Sequence, residues 1–110
     1  MDRKTQLEQE LKRITEVIVK EYKPQRMILF GSLAQGNVHE WSDIDLVIVK
    51  DTPKRFLERM REIFLMTRPR VSLNVVVYTP GEITEMEKQK HYFWEDEIIG
   101  KGRVLYDRAA

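Results

Sequence analysis

Cysteine is absent from this sequence, which excludes disulfide frameworks, thiol catalysis and zinc sites built on thiolates. Long apolar runs are absent too: none reaches the roughly 20 residues that cross a bilayer. The charged beginning MDRKTQLEQELKR is unlike a signal peptide. A strong excess of one charge is also missing, since the net charge is only +1. We therefore expect a cytoplasmic protein that neither enters membranes nor binds nucleic acid directly.

The composition present is that of a globular protein. The 110 residues are 42% hydrophobic and 34% charged, a mixture typical of a soluble, folded chain rather than a disordered one. The length suits one domain of ordinary size. No repeat, linker or low-complexity tract divides the sequence. We predict a single domain over residues 1–110.

Hydrophobic spacing predicts alternating helices and strands. Apolar residues at three- and four-residue steps predict an amphipathic helix over 4–22. Short apolar runs predict strands at 27–30, 44–49 and 71–78, with a terminal strand or extended tail at 104–106. A turn or two of helix and then a loop are expected between residues 33 and 41. The order α-β-α-β-α-β-α predicts an α/β sandwich, a sheet of three or four strands flanked by helices.

Two later helices carry start signals. Asp51-Thr52-Pro53 predicts the start of one, which Arg68-Pro69-Arg70 ends. Thr79 is the predicted N-cap of the next, with Glu82 as its capping-box partner. A break before Phe93 is expected, and the helical pattern then runs to Gly100. The predicted inward-facing residues of these segments are Phe56, Met60, Ile63, Phe64, Ile83, Met86, Trp94, Ile98 and Ile99.

The most informative segment is Gly31-Ser32-Leu33-Ala34-Gln35-Gly36, followed after five residues by Ser42-Asp43-Ile44-Asp45. Asp43 and Asp45 begin a predicted strand, so their side chains point to the same face. Two close carboxylates repel each other unless one is protonated or a cation lies between them. Such hard oxygen ligands suit Mg²⁺.

Gly31-Ser32 directly follows a predicted buried strand and could bind phosphate, since glycine lets backbone N–H groups approach an anion and serine adds a hydroxyl. Each feature alone has a simpler interpretation, a tight turn for Gly-Ser and a solvated strand edge for Asp-x-Asp. Together they describe a nucleotidyl-transfer site, in which two cations stabilise the attacking and leaving oxygens.

This combination resembles the minimal nucleotidyltransferases of the DNA polymerase beta superfamily. The resemblance extends from the leading helix to the closing Gly100-Lys101-Gly102-Arg103-Val104-Leu105-Tyr106. It implies a small α/β sandwich with a mixed sheet, ATP as substrate and two Mg²⁺ ions. It further implies that Gly31, Ser32 and Ser42 bind the nucleotide, and that Asp43 and Asp45 hold the metal.

One position departs from that family. Its members carry a third carboxylate on a neighbouring strand, where this sequence has Asn74. Asparagine offers a carbonyl oxygen to a metal, but it brings no charge and cannot act as a general base. Asp51 and Glu40 are candidate replacements, and a partner protein is another. Leu33 and Gln35 also stand where members often carry arginine, which removes a possible phosphate contact.

The resemblance implies an antitoxin that pairs with a helical HEPN-type toxin and transfers AMP from ATP to a hydroxyl of that partner. The Asn74 departure keeps an alternative open, in which a weakened or inactive domain neutralises the toxin by contact. A third possibility is a nucleotide-binding small subunit of a larger enzyme. A homo-oligomer is possible in each case.

Four other features have a functional and a simpler interpretation. His39 could touch a nucleotide, but we expect a solvated loop residue. Trp41 could stack on a base, but packing against the sheet is expected. The cluster His91-Tyr92-Phe93-Trp94 could face a partner, but we assign it to the core. The arginine-rich segment 54–70 could bind RNA or an acidic partner, but we expect a solvated helix face.

Overall fold

The computed structural model describes residues 2–109, which form one four-stranded sheet with helices on both faces. The first helix, α1, continues into a π-helical segment, π1, and a longer π-helix, π2, precedes the last strand. In chain order the elements are α1 (Arg3–Val17), π1 (Ile18–Tyr22), β1 (Arg26–Phe30), α2 (Gly31–Gln35), β2 (Ile44–Val49), α3 (Phe56–Thr67), β3 (Leu73–Tyr78), α4 (Pro80–Lys88), π2 (Phe93–Gly100) and β4 (Arg103–Asp107).

The sheet is mixed, which confirms the predicted α/β architecture. Its strand order is β3-β2-β1-β4. The central strand β1 runs antiparallel to both β2 and β4, whereas β2 and β3 run parallel. Since β2 and β3 are parallel, their N-terminal ends lie side by side at one end of the sheet. The loop from α2 and the loop from α3 reach the sheet at that end.

Alternating side chains divide the sheet into two faces. On the first face, Leu46, Ile48 and Val75 join the main core with α1, π1 and α3. On the second face, Ile28 and Val47 pack with Trp94 and Ile98 of π2 in a smaller cluster. Asp45 and Asn74 alternate with first-face residues, so both project from the second face.

The structure corrects the predicted start of the second long helix and part of its inward face, of which Ile63 is buried and Met60 packs against the core as predicted. Asp51-Thr52-Pro53 stays outside α3, which begins at Phe56 after Arg55. Its buried side chains are Arg59, Ile63 and Thr67, whereas Phe56 and Phe64 are each 40% exposed. The reason is Arg59, whose guanidinium donates to the carbonyls of Lys54 and Val77 and to Glu82. These bonds satisfy the guanidinium, so that a charged residue can lie on the inward face of α3.

Other local predictions are confirmed or shifted by a few residues. The capping box of Thr79 and Glu82 is present, and Trp94 and Ile98 are buried. Strand β3 begins at Leu73 rather than at residue 71, and α2 begins already at Gly31. His91, Tyr92 and Ile99 are exposed, which corrects their assignment to the core. No helix within residues 2–109 has both the length and the apolar character to cross a membrane.

A buried carboxylate joins α1 to the loop before β3. Glu10 accepts hydrogen bonds from Nε and Nη2 of Arg13, at 2.7 and 2.9 Å, and from the backbone N–H of Arg70. The Arg13 hydrogen bonds, helped by that N–H, outweigh desolvation and lower the pKa of Glu10. A lowered folded-state pKa stabilises the protein above the unfolded pKa, and this stabilisation is lost as the pH falls through the folded value.

Glu10→Gln should therefore lower the free energy of unfolding by about 1.5–3 kcal/mol at pH 7. The difference from the unaltered protein should shrink below about pH 4, where the unfolded carboxyl is protonated. Urea titrations at pH 7 and at pH 3 measure both values. Glu16→Gln, on the exposed side of the same helix, is the control and should change stability by less than about 0.5 kcal/mol. An equal loss at both pH values would contradict the role given to the ionised form.

Candidate active site

Strand pairing brings three polar side chains together at the open end of the second face. Asp45 lies directly opposite Asn74 in the parallel β2–β3 register. The side-chain Nδ2 of Asn74 donates to Oδ1 of Asp45 at 2.8 Å and reaches Oδ2 of Asp43 at 3.4 Å. Asp43 precedes the first residue of β2 instead of lying within the strand. The two carboxylates nevertheless converge on one point, as expected from their spacing.

The environment of Asp45 disfavours its charge. Burial raises the pKa of Asp45, the hydrogen bond from Asn74 lowers it, and the nearby charge of Asp43 raises it again. The net effect is a raised pKa. A carboxylate held in this way is stabilised by a cation between it and its neighbour. The Asn74 amide supplies only a neutral donor at that place.

Gly31 allows α2 to begin against the Asp45 carboxylate. Its φ is +74°, in the left-handed region that favours glycine. A Cβ at this position would overlap Oδ2 of Asp45. Any other residue would therefore push the start of α2 away from the carboxylate. The glycine of the motif thus has a steric role, and it brings the Gly31-Ser32 backbone next to the acidic pair.

A hydrogen bond between the two serines of the motif connects its halves. The hydroxyl of Ser32 donates to Oγ of Ser42 at 3.0 Å, and the backbone N–H of His39 donates to the same oxygen at 2.9 Å. Ser42 is only 3% exposed. Its buried hydroxyl therefore fixes the loop and orients Ser32, which itself remains partly exposed.

The loop before Asp43 is a tight, hydrogen-bonded turn. Ser42 donates its N–H to the carbonyl of His39, and Trp41 donates its N–H to Nδ1 of His39. The Trp41 side chain is 78% exposed, which corrects the expectation that it packs against the sheet. The tryptophan is thus held on the surface two residues from Asp43. His39 is an exposed loop residue, as expected.

The two candidate replacements for a third acid do not join this group. Asp51 follows the far end of β2, about 20 Å from Asp45 at ~3.3 Å per residue. Glu40 lies exposed in the turn with Trp41. Within residues 2–109, no group of three or more His, Cys, Asp or Glu side chains is placed to hold a metal. The site therefore consists of two carboxylates and one amide.

Sequence reasoning missed one residue that contacts this loop. Arg3, at the start of α1, donates from Nε and Nη2 to the carbonyl of Ser42, at 3.0 and 2.8 Å. The contact joins residues 39 positions apart. No local pattern around an arginine in the first turn of a helix signals such a contact, so the sequence alone could not have identified it.

A sequence model of the family described as "Polymerase beta, Nucleotidyltransferase" matches residues 12–110. The chain belongs to this nucleotidyltransferase family. The matched range contains the Gly31-Ser32 motif, both aspartates and Asn74. The α/β fold and the resemblance to the polymerase beta superfamily are thereby confirmed.

Two proteins similar to this nucleotidyltransferase come from one organism. Two proteins of Methanocaldococcus jannaschii both carry the name "putative protein adenylyltransferase". The first is 34% identical over 83 residues, 74% of this chain and 78% of the relative. The second is 45% identical over 53 residues, 44% of this chain and 36% of the relative.

A crystal structure described as a "putative nucleotidyltransferase" from Sulfolobus solfataricus superimposes on this chain with a TM-score of 0.65. The superposition covers 96% of this chain and 85% of that one, at 19% sequence identity. At this level of identity the likeness concerns the fold. It supports the four-stranded sheet flanked by helices.

Proposed function

We propose that this cytoplasmic nucleotidyltransferase transfers AMP from ATP to a hydroxyl of a protein partner, in a reaction that depends on Mg²⁺. The observation that carries the proposal is the convergence of Asp43 and Asp45 beside Gly31, at the open end of the sheet's second face. The names of the two Methanocaldococcus relatives support adenylyl transfer to protein. In the reaction, the acceptor hydroxyl attacks the α-phosphorus of ATP, loses its proton, and pyrophosphate leaves.

The residues present fit a magnesium ion. Asp43 and Asp45 supply one or two hard carboxylate oxygens, and Mg²⁺ takes its other ligands from water and substrate phosphates. A half-turn of the Asn74 amide would direct its oxygen to the same point. Bound there, the ion would stabilise charge on the transferring phosphate. Because this set holds only two carboxylates, a second ion would rest mainly on the nucleotide's own phosphates.

The other motif residues bind and orient the nucleotide in this proposal. Gly31 brings backbone N–H groups close to the triphosphate. The Ser32 hydroxyl turns its O–H from Ser42 to a phosphate oxygen, and the Ser42 hydroxyl then donates to Ser32. Ser42 holds Ser32 in place from its buried position. Asn74 cannot remove the proton from the acceptor. A group of the partner protein takes that role. We propose that this partner is a helical HEPN-type toxin, and that this chain is the antitoxin that neutralises it.

The same asparagine favours a second candidate function. The Asn74 amide donates toward both carboxylates. This neutral group therefore occupies the place where a cation would lie. A domain locked in this way could neutralise its toxin by contact alone, with no transfer. This contact-only candidate predicts that partner binding survives the loss of Asp43, whereas the transferase proposal requires both aspartates for neutralisation.

Titration of ATP into the purified protein tests the main proposal. With Mg²⁺, we expect saturable heat of binding and a saturable change in the fluorescence of Trp41, which is exposed beside the site, whereas Trp94 is buried on another part of the face. With EDTA, both signals should vanish. Trp41→Phe is the control for the source of the fluorescence signal. Absence of binding in both buffers, with and without the partner chain, would reject the transferase in favour of the contact-only candidate.

A further inference from the structure

Arg3 makes a contact with the active-site loop that the family match does not cover. The match begins at residue 12, whereas Arg3 is the first residue of α1. Two of its N–H groups donate to the same oxygen, the carbonyl of Ser42, and its Nη1 donates to Gln6. Hydrogen bonds from a guanidinium are stronger than those between neutral groups. The Ser42 carbonyl is therefore held firmly toward α1.

Holding this carbonyl also fixes the N–H of Asp43, because both belong to one planar peptide. The described residues contain no cis peptide bond, so the Asp43 N–H points to the side opposite the Ser42 carbonyl. It therefore points away from Arg3. Among residues 2–109 it meets no acceptor. A cationic donor on the carbonyl also polarises the peptide and makes its N–H a stronger donor.

We propose that Arg3 is a positioning residue for the nucleotide: by holding the Ser42 carbonyl, it directs the Asp43 N–H to a phosphate oxygen of the nucleotide. The same contact orients the Asp43 carboxylate, because this side chain belongs to the residue whose backbone N–H is held. This inference rests on the proposed function, since it concerns the same nucleotide. It adds a contribution from α1, a helix that sequence analysis assigned only to the core.

A purely structural role for Arg3 is the competing explanation, and Arg13 provides the matched control. Arg13 also lies on α1, pairs with a side chain of the same helix, and donates to a distant carbonyl, that of Arg68 at 3.3 Å. Its contacts join α1 to the loop before β3 instead of to the Ser42–Asp43 peptide. The two arginines thus differ in what they hold rather than in the kind of contact they make.

Calorimetric titration of ATP with Mg²⁺ into Arg3→Ala, Arg3→Lys and Arg13→Ala tests the proposal. Arg3→Ala should raise the dissociation constant by about tenfold, with its thermal midpoint close to that of the unaltered protein. Arg3→Lys keeps a cationic donor but loses the paired N–H groups of the guanidinium. Its dissociation constant should lie between those of the unaltered protein and Arg3→Ala. Arg13→Ala should lower the thermal midpoint more, yet leave the affinity within about twofold.

The nucleotide-free protein provides a second readout. In ¹H–¹⁵N spectra the Asp43 amide should shift in Arg3→Ala and remain in place in Arg13→Ala, because only the former changes the polarisation of its peptide. Unchanged affinity and an unchanged Asp43 amide in Arg3→Ala would overturn this inference while leaving the proposed function intact. If the unaltered protein binds no nucleotide under any condition, both fail together.

Discussion

Asp45→Asn should abolish Mg²⁺-dependent ATP binding while leaving the protein as stable as before, or more stable. The amide keeps the shape of the carboxyl group and can still accept the hydrogen bond from Asn74. It removes the charge that a cation needs, and with it one of two carboxylates in the site. We expect adenylyl transfer to fall by about 10³-fold or more, as when a principal charge-stabilising group is lost.

The stability half of this prediction follows from the pKa of Asp45. Burial, opposed by the Asn74 hydrogen bond and joined by the charge of Asp43, raises that pKa, so the folded state favours the neutral form. A permanently neutral side chain relieves this penalty at pH 7. The thermal midpoint of Asp45→Asn should therefore equal or exceed that of the unaltered protein. Scanning calorimetry measures the thermal midpoint, and titration calorimetry measures the ATP affinity of the same preparation.

Asp51→Asn is the control for Asp45→Asn. It removes the same charge from the same stretch of chain, but at the opposite end of β2. We expect unchanged nucleotide affinity and transfer. If Asp45→Asn instead bound ATP with Mg²⁺ as well as the unaltered protein, the acidic pair would not be the metal site, and the proposal for Asp43 would fall with it.

The parts of the site that the sequence predicts are those set by local geometry. The spacing of Asp43 and Asp45 and the two-residue period of a strand place both carboxylates on one face. Asn74 is aligned with them only through the resemblance to the polymerase beta superfamily, whose members carry a carboxylate on the neighbouring strand. The structure confirms the convergence of the three side chains. Their roles toward metal and nucleotide remain predictions.

The features that the sequence did not predict depend on distant hydrogen bonds. The inward face of α3 follows from Arg59, whose partners lie on β3 and α4 and cannot be inferred from helical spacing. The exposure of Trp41 follows from the bonds among His39, Ser42 and Arg3 that close its turn. Apolar side chains are normally expected in the core. At α3 and at Trp41, polar contacts outweigh that preference.

Asn74→Asp should convert the site into one with three carboxylates and raise the rate of transfer. Residue 74 lies directly opposite Asp45 on the neighbouring strand. A carboxylate there would supply another metal ligand and a general base for the acceptor hydroxyl. General-base catalysis contributes about 10²–10⁴-fold to rates, so we expect a gain of at least about 10². Release of pyrophosphate and transfer of label from the α-phosphate of ATP to the partner measure it.

Without metal, the same substitution should destabilise the protein. Asn74 now donates toward Asp43 and Asp45, and an aspartate would replace those contacts with repulsion among three carboxylates. Added Mg²⁺ should restore the thermal midpoint, since a ligand that binds only the folded state raises the free energy of unfolding with the logarithm of its concentration once that exceeds the dissociation constant. The rise in midpoint with Mg²⁺ should therefore be larger for Asn74→Asp than for the unaltered protein.

Two variants separate the effect of the new carboxylate from the loss of the amide. Asn74→Ala removes the donor without adding an acid, so it should lose stability and gain no activity. Asn37→Asp places the same charge in the exposed loop before the turn and should change neither the stability nor the activity. If Asn74→Asp gained activity while the unaltered protein had none, the natural chain would be the contact-only domain. If Asn74→Asp responded to Mg²⁺ no more than Asn74→Ala, position 74 would not be where a third metal ligand belongs.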